Sequence, residues 1–155
     1  MKWKIPPKIK IYEALGSIGD KRIEVTINEA KVYSSSKGKF YTIKYDSKSN
    51  SIMCNDNGSY WQGYLGYPAI AFLMLNGRIK YSSKYSEALK DIMWKDINVK
   101  LKNDFSKAEA YVLDLIKKKR FSEEEFLGEI DNIYEQIKVL NINLLGEKQK
   151  PPEGY

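Results

Sequence analysis

Histidine is absent from the 155 residues, and cysteine occurs once, as Cys54. These two absences close several chemistries together. A structural zinc takes four ligands, usually from Cys and His, and an intrachain disulfide needs a second thiol. The Ser-His-Asp and Cys-His mechanisms lose their base, and near-neutral proton shuttling loses its usual carrier. Any catalysis would rest on carboxylates, lysines, tyrosines or a metal held by oxygen. The chain also lacks any apolar run near the ~18–20 residues that cross a bilayer. Its first stretch, "MKWKIPPKIKIYEALG", is broken by Pro6-Pro7 and has no apolar core, so it does not read as a signal peptide. The expectation is a cytoplasmic protein with no membrane contact, no cofactor, no metal and no catalytic residues.

Arginine is scarce too: three against 23 lysines. The Lys and Glu enrichment suits a thermophile and the Lys-over-Arg bias an AT-rich genome, with an archaeal source as the expectation, although ten asparagines pull the other way. The apolar (43%) and charged (30%) fractions are those of a folded globular chain rather than a disordered one. Charge is uneven. Residues 1–50 hold 11 basic and 5 acidic side chains, residues 51–105 hold 7 and 5, and residues 106–155 hold 8 and 10. The excess of the first third points to a polyanion as one partner.

Patterning predicts an α+β fold. Ile9, Ile11, Tyr12, Leu15 and Ile18 have helical spacing after Pro7, with Gly16 and Gly19 as stops. "RIEVTI" (22–27) alternates as a half-buried strand, and Asn28-Glu29-Ala30 reads as a turn into "KVYSS". "KFYTIKYD" (39–46), with Tyr41, Ile43 and Tyr45 on one face, and "SIMC" (51–54) complete a four-strand antiparallel meander. "YPAIAFLMLNG" is apolar on all sides, with Pro at its start and Asn76-Gly77 at its exit, so it is a buried helix. A helical half follows: Ser83 to Trp94, a stripe through Ile97, Leu101 and Phe105, then helices opened by the capping boxes Ser106/Glu109 and Ser122/Glu125. The expected layout is one domain over 1–146, sheet-containing in 1–80 and helical in 81–146, with an extended tail over 147–155.

Several stretches are candidates for chemistry. The run Lys117 to Arg120 resembles a nucleic-acid patch, but cations at a helix end followed by glutamates are what helix dipoles favour. A divalent-metal nuclease could be spelled as Asp20, then Glu29-Ala30-Lys31, with Glu13 on the preceding helix. Lys31, Lys37, Lys39, Lys44 and Lys48 interleave with Tyr33, Phe40, Tyr41 and Tyr45, as on sheets that stack bases and meet phosphate. Cys54 reads as a small buried hydrophobe.

The order strand, turn, strand, loop, buried helix in "KGKFYTIKYDSKSNSIMCND" and "GYPAIAFLML" resembles a SWIM-type zinc finger over residues 39–75. In that family Cys-x-Cys closes the second strand, and Cys-x-His opens a helix that continues apolar-apolar-Ala-apolar-Leu. Matching Ala71 to the helix alanine puts Ile52 and Cys54 at the first ligand pair and Gly66 and Pro68 at the second. Only Cys54 is a ligand type. The resemblance implies a degenerate, metal-free, non-catalytic module of a family associated with DNA transactions and protein–protein contacts. Gly58, Gly63 and Gly66 would let the loop turn, while Tyr60, Trp61, Tyr64 and Tyr67 fill the volume a metal once organised.

The first functional expectation is therefore a non-catalytic binding protein or accessory subunit that meets nucleic acid through Lys2, Lys4, Lys8, Lys10, Lys31, Lys37, Lys39 and Lys44. Such contact is salt-dependent and weakly sequence-specific, because a single Arg lies in the first 77 residues. The alternative is a protein–protein adaptor or homo-oligomer that uses Tyr60, Trp61, Tyr64 and Tyr67 with the tail Pro151 to Tyr155. The nuclease comes third.

Overall fold

In the computed structural model, which describes residues 1–153, the chain runs from helix α1 (Ile9–Gly19) into four antiparallel strands. These are β1 (Ile23–Val25), β2 (Glu29–Tyr33), β3 (Phe40–Asp46) and β4 (Ser51–Cys54). A short π-helix (Gly58–Gln62) leads to helix α2 (Tyr67–Leu75). Helices α3 (Ser83–Ala88), α4 (Trp94–Lys100), α5 (Phe105–Lys118) and α6 (Glu123–Leu140) follow, and β5 (Asn143–Leu144) closes the sheet in the order β1-β2-β3-β4-β5. Of the expected tail, Gly154 and Tyr155 lie outside the described residues.

The α+β class holds, and α2 explains the layering. Every residue from Pro68 to Met74 is buried, so no side of the helix can face water. It is clamped between α1 on one side and β1, β3 and β4 on the other, and α1 is backed in turn by α3, α5 and α6. Tyr41, Ile43 and Tyr45 point inward from β3 as the alternation predicts, and Tyr45 meets Phe72 of α2 edge-on at 5.6 Å. No helix among the described residues is long and apolar enough to cross a membrane.

The structure departs from the sequence pattern in four places. Glu29 and Ala30 begin β2 rather than forming a turn. The reversal lies just before them, where Thr26 N–H donates to the Glu29 carbonyl (2.8 Å), and Ile27, expected on the inner face, is 85% exposed there. The helical stripe from Ser83 through Phe105 is broken after Ala88, with Asp91 at φ +67°. Helix α5 is capped two residues earlier than expected, at Asp104 rather than Ser106, where the Asp104 side chain accepts from Lys107 N–H at 3.1 Å. Finally, β5 is a fifth strand, parallel to β4, with no alternation of its own to announce it. The Ser122 cap stands as expected, accepting from Glu125 N–H at 3.2 Å.

The loop from Cys54 to Gly66 is held by one buried carboxylate. Asp56 accepts from the Cys54 thiol (2.7 Å), the Ser59 hydroxyl (2.5 Å) and the Ser59 N–H (3.2 Å). The Ser59 hydroxyl in turn accepts from Gly66 N–H at 3.1 Å. Burial, then the charge of Asp56, pushes the Cys54 thiol well above its ordinary pKa, so it stays a protonated donor. Gly66 lies so close to Asp56 that a methyl there would fall on the carboxylate. Gly66→Ala should destabilise the fold by about 2–3 kcal/mol through overpacking and lost hydrogen bonds. Gly128→Ala, on an open face of α6, should stabilise it by about 0.5–1 kcal/mol. Urea unfolding of the two variants checks both signs.

Candidate functional site

Among the described residues, three buried side-chain polar atoms have no hydrogen-bond partner: Arg22 Nη2, Trp94 Nε1 and Asn98 Oδ1. All three residues line one cleft of about 340 Å³. A buried polar group left unpaired costs about 1–3 kcal/mol, so three residues carrying one each around a single cleft mark it as the candidate site. The atoms are shielded from solvent.

Each residue is placed by local structure. Arg22 follows the end of α1, where its Nε donates to Asp20 Oδ2 (3.1 Å) and its Nη1 to the Tyr33 carbonyl (2.6 Å), leaving Nη2 over. Trp94 opens α4 and packs on α1 at Gly16, where an added methyl would meet the indole nitrogen. Asn98 stands one turn later on the same helix face. Its Nδ2 donates to Glu13 Oε1 at 3.1 Å, while Glu13 Oε2 accepts from Lys10 at 3.0 Å. The amide cannot flip without stranding a buried carboxylate, so Oδ1 is held as an acceptor.

The cleft is cationic and aromatic. Lys10, Arg22, Lys39 and Lys95 line it against Glu13 and Asp56, with Tyr41 and Tyr67 between them. The two tyrosine rings meet edge-on at 6.2 Å, Lys39 lies over Tyr41 at 5.5 Å, and the Arg22 guanidinium lies over Tyr67 at 6.0 Å. Burial pushes the Tyr67 hydroxyl far above its ordinary range, against the opposing charge of Arg22. Burial, then the charges of Asp56 and Glu13, does the same to Tyr41. For Lys10 burial works against the ammonium, but the charge and hydrogen bond of Glu13 outweigh it and raise its pKa. All three therefore keep their protons at neutral pH.

The remaining expected residues are spread over different surfaces. Lys8 pairs with Asp131 of α6 at 2.9 Å. Lys2 donates to Asn141 and Asn143, and Lys4 pairs through its backbone with Gly63 and Leu65. Lys31 and Lys44 sit on the outer sheet face directly opposite Glu24 and Glu29, an acid in register with each cation. Lys37 occupies the β2–β3 turn at φ +61°. The aromatic set divides: Tyr67 lines the cleft, Tyr64 is half-buried, and Trp61 is 68% exposed with Tyr60 edge-on to it at 4.7 Å. Asp20 is spent on Arg22 and on Asp91 N–H (2.6 Å), away from the outer-face Glu29 and Lys31. Among the described residues no cluster of three acidic or cysteine side chains could hold a metal. Lys117 to Lys119 are taken up by Glu123, Asp114 and the Ala88 carbonyl.

Sequence reasoning reached Lys10 and Lys39 but missed Arg22, Trp94 and Asn98. The available signal was Arg22 itself, a lone guanidinium in a lysine-rich half. A larger cleft of about 580 Å³ lies between α4 and α5, lined by Ile92, Met93, Ile97, Leu101, Tyr111 and Leu115 among others. None of the three unpartnered atoms belongs to it.

Lys10 and Glu13 are 14% and 3% exposed, so removing the cation strands a buried carboxylate. Lys10→Met should cost about 3–5 kcal/mol. Chemical denaturation of the variant beside the wild type measures the difference.

No curated protein and no solved structure matches the chain. A family model does match, over residues 3–143. The chain belongs to the family described as uncharacterised conserved protein UCP014422.

Proposed function

We propose that the chain is a non-catalytic binding protein that holds an anionic group, with nucleic-acid-type phosphate as the best fit, in the cleft between α1, the β2–β3 turn and α4. The observation that carries this reading is a cleft lined by Lys39 and by Arg22, whose buried Nη2 has no hydrogen-bond partner. An anion there accepts from Arg22 Nη2 and meets the Lys39 ammonium, and hydrogen bonds to charged groups are worth about 1.5–3 kcal/mol each. Contact with a polyanion through a spread lysine face fits less well, because Lys31 and Lys44 face glutamates and Lys8 and Lys10 are paired. Binding is favoured over turnover because Lys10, Tyr41 and Tyr67 are all displaced away from neutral pH, leaving them without a proton to exchange there. A lone buried thiol suits the reducing cytoplasm.

The test is calorimetric titration of inorganic phosphate into the full chain at two salt concentrations. Lys39→Glu should weaken binding by about tenfold or more, whereas Lys44→Glu on the outer sheet face should leave it unchanged. The reverse ranking places the anion on the sheet and overturns the cleft. A protein partner or a second copy of the chain is the other reading, favoured by Trp61, which stands 68% exposed on a π-helix, a geometry frequent at functional sites. It requires the wild type to sediment as an oligomer and Trp61→Ser as a monomer.

A further inference from the structure

We infer that β1 is a self-pairing edge, through which a second copy of the chain continues the sheet about a two-fold axis. The segment Ile23-Glu24-Val25-Thr26-Ile27 is apolar-polar-apolar-polar-apolar in either direction, with Val25 at its centre. Alternation assigns Ile27 to the inner face, yet it is 85% exposed, and Val25 and Leu75 of α2 are 46% and 38% exposed. All three line one shallow cleft of about 420 Å³ at the border of the sheet.

The two edges of the sheet are finished differently. Beyond β5 the chain lays its own first residues: Lys2 bridges Asn143, and Leu144 N–H donates to the Met1 carbonyl at 2.8 Å. Beyond β1, among the described residues, no segment pairs. The Arg22 carbonyl accepts from Tyr33 N–H (2.7 Å) and Thr26 N–H donates to the Glu29 carbonyl (2.8 Å), so the even-numbered residues face β2. In an antiparallel ladder the residues between them turn their N–H and C=O groups the other way, so those of Ile23 and Val25 point outward. Such a row is a template for another strand.

The segment itself fits that strand. Antiparallel pairing centred on Val25 sets Val25 against Val25 of the second copy, Ile23 against Ile27, and Glu24 against Thr26. Apolar residues then meet on the face that carries α2, and no like charges are opposed. Pairing centred on Glu24 would oppose two carboxylates, which is destabilising. A two-fold axis through Val25 and perpendicular to the sheet keeps both α2 helices on one side, so the two clefts adjoin. The same patch serves both copies, and the contact closes at two. It covers less than the roughly 1,200–2,000 Å² of stable complexes, so association is weak, with a Kd of about 10–100 µM.

Sedimentation equilibrium on the full chain over about 5–500 µM should show monomers passing into dimers. Ile27→Lys, at an exposed position, should weaken association about tenfold or more, and Trp61→Ser should leave it unchanged. Thr26→Glu should weaken it by facing Glu24 of the second copy. Adding Glu24→Lys should restore it, because opposite charges then face each other, a repair that a folding defect would not show. A chain that stays monomeric throughout overturns the inference, as does a dimer lost in Trp61→Ser and kept in Ile27→Lys. Species larger than a dimer overturn the closed contact, and a double variant that restores nothing overturns the pairing centred on Val25.

Discussion

The Arg22–Asp20 pair is the joint on which the arrangement turns. Arg22 is 3% exposed, and its backbone and side chain bind α1 and β2 together. Its N–H donates to Ser17 at the end of α1, and its carbonyl accepts from Tyr33 N–H at 2.7 Å. Its guanidinium reaches the Tyr33 carbonyl of β2 and the Asp20 carboxylate. Asp20 then holds Asp91 N–H, fixing the break before α4. Helix, sheet and helical half meet at this one ion pair. A buried guanidinium is tolerated because Asp20 matches its charge and its Nε and Nη1 are hydrogen-bonded. The donor that is not used borders the cleft, and α4, positioned through Asp91, brings Trp94 and Asn98 to the same place.

The opposite wall depends on a second buried charge. Asp56 draws Cys54, Ser59 and, through Ser59, Gly66 into a closed set of hydrogen bonds. Cys54 and Gly66 are two of the positions that the SWIM-type resemblance assigns to metal ligands. Here they are joined through a carboxylate and a hydroxyl. The loop is thereby made rigid by neutral donors around one anion, and it carries Tyr67 to the cleft at the start of α2. Both walls thus spend polar groups on structure, and the cleft is where that accounting leaves atoms over.

What could be read from the sequence was what is local and periodic. The inward face of β3 followed from alternation, and α2 followed from an apolar run bracketed by Pro68 and Asn76-Gly77. The Ser122 cap followed from spacing alone. Features decided by distant partners escaped. The break at Asp91 depends on a carboxylate 71 residues away. The two residues of β5 are a strand only because β4 accepts them. The start of α5 turned on a competition between two good caps, Asp104 and Ser106, and the earlier one won. The site divides in the same way. Lys10 and Lys39 were visible as cations, and Glu13 and Asp20 as acids, but their roles were not. Spacing suggested metal ligands, whereas packing pairs Glu13 with Lys10 and Asp20 with Arg22. Trp94 and Asn98 are one helical turn apart, but nothing periodic links them to Arg22, and the three line one cleft only because α4 folds back onto α1.

The central claim is that the cleft beside Trp94 receives the ligand. The chain holds three tryptophans in three settings: Trp3 donates its indole N–H to the Ile52 carbonyl at 2.9 Å, Trp61 is exposed, and Trp94 is buried without a partner. A nitrogen-edited NMR spectrum of the indole N–H groups, recorded while inorganic phosphate is added, reads all three at once. The account predicts that the Trp94 resonance moves while those of Trp3 and Trp61 stay in place. Movement of Trp61 alone would contradict it and put the contact on the π-helix instead.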